Sequence, residues 1–131
     1  MALRAIVTVL CGVGLYASVF MLRKAGAAAR GTLIEPSVVQ TPRARLFGGV
    51  PTALIGAFYY PALAIAIWLA SSRADFTVLL AAASAAAAVS AVLAYSLLFV
   101  TRMPCIYCWT SHVVNWSLAG CTAFLVIFPN R

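Results

Sequence analysis

The residues best suited to chemistry are Met103-Pro104-Cys105-Ile106-Tyr107-Cys108-Trp109-Thr110-Ser111-His112, at the mouth of a long apolar segment. Two cysteines at i and i+3 on a helix start suit thiol–disulfide exchange. The free N–H groups and the dipole of a first turn favour a thiolate. The spacing also turns both sulfurs to one face, where they can close a small redox-active ring. Pro104 ends the incoming turn and presets the helix start. Metal binding is the competing use of such a pair, but zinc takes four ligands, and the chain has one histidine. Haem attachment needs a histidine directly after the second cysteine, and Trp109 stands there. No metal and no haem is expected.

Projected at about 100° per residue, Cys105, Cys108, Trp109, His112, Asn115 and Trp116 fall within about 120° of one another. Cys121 points nearly the opposite way. The polar and aromatic side chains of this segment therefore converge on the cysteine face. A flat apolar ring could sit there, gripped by tryptophan and hydrogen-bonded by His112 or Asn115. A histidine inside an apolar span is expensive and so a functional candidate; the plainer alternative is a helix–helix hydrogen bond. Trp109 and Trp116 could also be interface anchors, although Trp116 lies about 16 Å below Cys105 at 1.5 Å per residue. Cys11 and Cys121 read as apolar filler.

The elements that must position this face follow from composition. The chain has 131 residues, 65% hydrophobic and 8% charged, with a mean hydropathy of +1.05. A soluble domain carries about 25% charged residues, so lipid is the expected solvent. The net charge of +7 comes with no basic stripe or stacking platform, so arginines at membrane interfaces are expected and nucleic acid is not. Four spans are expected, at about 3–22, 47–70, 76–100 and 105–128, in a single domain over 1–131. The first could be a signal peptide, but its apolar run from Ala5 to Leu22 is 18 residues, long for such a centre, and the reading here is a retained helix. Pro51 is expected in the first turn of the second span. Ala83, Ala87 and Ala91 on the third let a neighbour approach closely. The fold expected is an all-α, integral membrane four-helix bundle.

With four spans the cysteine pair shares one membrane side with the first loop. Arg23, Lys24, Arg30, Arg43, Arg45 and Arg102 lie on that side, against Arg4, Arg73 and Arg131 on the other. The positive-inside rule taken alone would put the pair on the cytoplasmic side; the sequence leaves the side open.

The stretch Cys105-Ile106-Tyr107-Cys108-Trp109-Thr110-Ser111-His112-Val113-Val114-Asn115, opening a fourth span, resembles the vitamin K epoxide reductase family. The segment Val39 to Tyr60, containing Phe47-Gly48-Gly49-Val50-Pro51-Thr52-Ala53-Leu54-Ile55-Gly56, resembles that family's approach to its second helix. The resemblance implies a four-helix bundle in a bacterial inner membrane, enclosing a quinone of menaquinone or ubiquinone type beside the cysteine pair. It implies Cys108 as the sulfur nearest the ring, and ring contacts from Phe47, Thr52 and Ile55 together with Trp109, His112, Asn115 and Trp116. Thr52 matches an asparagine of the animal enzymes and His112 a tyrosine, both able to hydrogen-bond.

One departure is large. The family carries a second cysteine pair in its first loop, which relays electrons to a thioredoxin-like partner, and Glu35, Ser37 and Thr41 occupy that region here. No fused thioredoxin-like domain is expected either. Two functions are therefore expected as alternatives. One is a quinone-linked thiol–disulfide oxidoreductase working through Cys105 and Cys108 with a thioredoxin-like protein. The other is a non-catalytic subunit of a larger respiratory or photosynthetic membrane complex, holding a quinone or a carotenoid-like pigment.

Overall fold

The computed structural model describes residues 1–31, 45–46, 50–102 and 105–128. Four helices hold nearly all of these: α1 (Ala2–Ala29), α2 (Thr52–Leu69), α3 (Arg73–Ser96) and α4 (Ile106–Ile127). All four are long and apolar enough to cross a membrane. Their outer faces expose Val9, Tyr16, Phe58, Leu69, Val78 and Ile106, among other large apolar side chains. Such a surface needs hydrocarbon around it, and helices satisfy their own backbone there. The protein is an integral membrane four-helix bundle. Ahead of α2, a short β1 (Arg45–Leu46) pairs antiparallel with β2 (Val50–Pro51).

The helix limits differ from the spans expected, for local reasons. α1 continues past Leu22 to Ala29 because alanine is the best helix former and fills most of that extension. It stops where Gly31 takes a φ of +72° and donates its N–H to Ala28 O at 3.1 Å. Its 28 residues span about 42 Å against a hydrocarbon core of about 30 Å, so α1 stands out beyond the membrane. Pro51 lies in β2 rather than in a first helical turn, and α2 opens at Thr52. α3 starts at Arg73, ahead of Phe76, because Ser72 and Asp75 form a capping box. Ser72 Oγ accepts from Asp75 N–H at 3.2 Å, and Asp75 Oδ2 accepts from Ser72 N–H at 2.8 Å. At its far end α3 passes into a π-helical turn, Leu97–Thr101, closed by Arg102 at a φ of 53°.

α1 packs against both α2 and α4, and α3 packs on α4, while α2 and α3 barely touch although a short turn joins them. The common core includes Val7, Cys11, Leu63, Ile67, Leu118 and Leu125. Gly14 lets α2 come close to α1: a Cβ there would stand 2.5 Å from the Tyr60 ring. At the membrane side opposite the cysteine pair, Arg4 donates to Ala70 O at 3.1 Å, and its guanidinium lies 5.3 Å from the Phe76 ring centre. An open groove of about 300 Å³ runs there between α2 and α3, walled by Ala66, Leu69, Val78 and Leu79.

Candidate functional site

α4 begins on the cysteine pair itself. Cys105 is its N-cap residue in extended conformation, and its Sγ accepts the Cys108 N–H at 3.3 Å. One of the orphan donors of the first turn is thus spent on a cysteine sulfur. Cys105 and Cys108 are joined as a disulfide with their Cα atoms 5.3 Å apart, within the ordinary range for such a bond. Both are half-buried. Tyr107, between them, stacks on Phe20 of α1 with ring centres 4.0 Å apart, and the Lys24 ammonium lies 5.6 Å from the Phe20 centre. This aromatic pair ties the start of α4 to the upper part of α1.

The face below the cysteines is contiguous but mixed in its surroundings. Trp109 meets His112 edge-on at 6.0 Å, and His112 lies over Trp116 at 6.3 Å. His112 is only 6% exposed, and among the described residues its Nδ1 finds no hydrogen-bond partner. An orphaned polar atom at that depth costs about 1–3 kcal/mol.

Asn115 is differently placed. Its Oδ1 accepts from Tyr60 OH of α2 at 2.9 Å, and its Nδ2 donates to Ser90 Oγ of α3 at 2.6 Å. One amide thus bridges α2, α4 and α3, across the gap that α2 and α3 leave. Trp116 is 40% exposed and turns toward α3, donating from Nε1 to Ala87 O at 3.2 Å.

Thr52 is half-buried at the first position of α2, and Ile55 lies exposed one turn on. Phe47 lies outside the described residues, as does the first-loop stretch of Glu35, Ser37 and Thr41. Cys11 and Cys121 are free thiols in or against the apolar core. Among the described residues no three His, Cys, Asp or Glu side chains come together as a metal site would require.

Reading the sequence missed Tyr60, Ser90 and Phe20. The first two carried a usable signal, since a phenol and a hydroxyl in mid-span need partners inside the bundle. Phe20 carried none, being one apolar residue among many.

A search of curated proteins found no match. The sequence pattern of the vitamin K epoxide reductase family, however, matches residues 5–123, from the first turn of α1 to about one turn before the end of α4. That match covers all four spans and the disulfide that opens the last of them, and the chain belongs to the vitamin K epoxide reductase family.

Proposed function

We propose that the protein is a quinone-linked thiol–disulfide oxidoreductase whose working group is Cys105–Cys108. The observation that carries this reading is the capping geometry: the pair opens α4, and the Cys108 N–H points at Cys105 Sγ at 3.3 Å. A first-turn N–H and the positive end of the helix dipole favour negative charge on that sulfur, as thiol–disulfide exchange requires of an attacking or leaving thiolate.

The pocket side of the reading rests on His112. Its buried Nδ1, which has no hydrogen-bond partner among the described residues, is what a carbonyl-bearing ring would satisfy, and His112 sits at i+4 from Cys108 on the same face. Trp109, edge-on to His112, supplies an apolar wall. Thr52 adds a hydroxyl from the start of α2, with Phe47 and Ile55 as further candidates from that segment. Asn115 acts through others, holding Tyr60 and Ser90 so that α2 and α3 keep their distance around the ring. A bound quinone, of menaquinone or ubiquinone type, would supply a sink for two electrons and two protons. The chain's own part is to deliver them from the dithiol, keep water from the ring and hold the ring against His112 and Trp109. A bacterial plasma membrane suits this reading.

The test is direct. Protein reduced with dithiothreitol, freed of excess reductant and mixed anaerobically with a short-chain quinone, is expected to bleach the quinone absorbance and regain its disulfide. Cys105→Ser and Cys108→Ser are expected to abolish this. Equal bleaching by wild type and both variants would overturn the reading. A quinone or pigment that co-purifies but is never reduced would point instead to the ligand-holding subunit.

A further inference from the structure

Among the described residues around the disulfide, charge has one sign. Arg23, Lys24 and Arg30 lie on the end of α1 that reaches beyond the hydrocarbon, and Arg102 lies just before Cys105. Arg23, Arg30 and Arg102 are exposed. Among the described residues this end carries no acidic side chain, the one described acid being Asp75 at the opposite end of α3. The rim is also connected to the chemistry by contact. The Lys24 ammonium rests 5.6 Å from the Phe20 ring centre, and Phe20 rests 4.0 Å from the ring of Tyr107, the residue before Cys108. Two such steps keep the ammonium within about 10 Å of Tyr107, the Debye length at about 0.1 M salt.

We infer that the thiol substrate of Cys105–Cys108 is a small anionic thiol, drawn and selected by Arg23, Lys24, Arg30 and Arg102. This rests on the exchange activity proposed above and names its substrate class. A cleft rim of one sign beside low-dielectric walls raises the local concentration of oppositely charged reactants by about 10- to 1,000-fold. Size argues in the same direction: Cys105 and Cys108 are both half-buried. A small thiol reaches a half-buried bond more readily than a protein surface does.

The exchange balances without another reactant. One thiolate attacks a sulfur of the Cys105–Cys108 bond, forms a mixed disulfide and releases the other cysteine as a thiolate. A second thiolate attacks the mixed disulfide, leaving as the oxidised dimer of the small thiol. The two protons of the substrate thiols end on Cys105 and Cys108. The two electrons then leave for the quinone of the reading above.

Three thiols of similar size separate charge from reach: 2-mercaptoethanesulfonate (anionic), 2-mercaptoethanol (neutral) and cysteamine (cationic). Their rates of reducing the purified protein's disulfide are compared per thiolate present. In about 0.01 M salt, where the Debye length is about 30 Å, the anionic thiol is expected to react at least about tenfold faster than the cationic one, with the neutral thiol between. In about 1 M salt the three rates are expected to converge. The triple variant Arg23→Gln, Lys24→Gln, Arg30→Gln is expected to lose most of the spread while keeping its rate with the neutral thiol. A merely structural loss would slow all three alike.

Equal rates at low salt, or a spread unchanged in the triple variant, overturn the inference and leave the arginines to orient the chain in the membrane. Reduction by an acidic thioredoxin-fold dithiol protein but not by 2-mercaptoethanesulfonate also overturns it, assigning the rim to a protein. If no thiol of any charge reduces the bond, the exchange reading itself fails, a separate outcome.

Discussion

His112 and Asn115 lie three residues apart on one face of α4, yet their partners give them opposite energetics. Asn115 spends its amide on Tyr60 and Ser90, and interhelical hydrogen bonds in a bilayer contribute about 0.6 kcal/mol on average and up to about 1.7 kcal/mol each. Asn115→Leu is therefore expected to lower stability by about 1–3 kcal/mol, measured by denaturant titration in mixed micelles. His112→Phe removes a buried ring nitrogen that has no described partner, so the same titration should show little loss or a gain. Its cost should appear as weaker binding of a quinone. If His112→Phe destabilises as much as Asn115→Leu, the imidazole is a packing element and the pocket assignment fails. The common face of these residues was legible from the spacing along one helix. Their division of labour was not, because Tyr60 and Ser90 arrive from two other helices and no local pattern announces which amide they meet.

At the scale of elements, the helices stand where the apolar runs lie, and what the runs leave open are the limits. Capping chemistry and alanine content settle those: Ser72 with Asp75 brings α3 forward, and Ala25 to Ala29 carry α1 out of the membrane. Close packing is set by single positions that hydropathy does not register. Gly14 and Gly12 are both α1 glycines, but a Cβ at Gly14 would meet the Tyr60 ring at 2.5 Å, while one at Gly12 would meet nothing within 4 Å. Gly14→Ala is expected to cost about 1–3 kcal/mol by forcing Tyr60 aside, and with it to loosen the Tyr60–Asn115 bond. Gly12→Ala should be neutral or mildly stabilising, since alanine outranks glycine in a helix by about 1 kcal/mol. Thermal unfolding of the two variants side by side checks the contrast. Equal effects would mean that α1 and α2 do not approach as closely as Tyr60 over Gly14 requires.

For the whole molecule, the decisive quantity is which side of the membrane the disulfide faces. The sequence places six cations on the cysteine side and three on the other. The structure adds a reason for that asymmetry to act, since α1 carries Arg23 and Lys24, and Arg30 caps it, just where a flanking charge governs orientation. The pair is therefore expected to face the cytoplasm, where thiol pools are reducing. Electrons would then run from cytoplasmic thiols through Cys105–Cys108 to the quinone, the same direction as in disulfide export but drawn from the reducing side of the membrane, and a first-loop relay to an oxidising compartment would have no task. After mild reduction, a membrane-impermeant maleimide is expected to label Cys105 and Cys108 in inverted vesicles but not in intact cells. A Cys105→Ser, Cys108→Ser variant sets the background from Cys11 and Cys121. Labelling in intact cells would place the pair outside, and a pair so placed would meet oxidised rather than reduced thiols. The basic rim would then have to be explained against the positive-inside rule, by selection of a substrate strong enough to outweigh it.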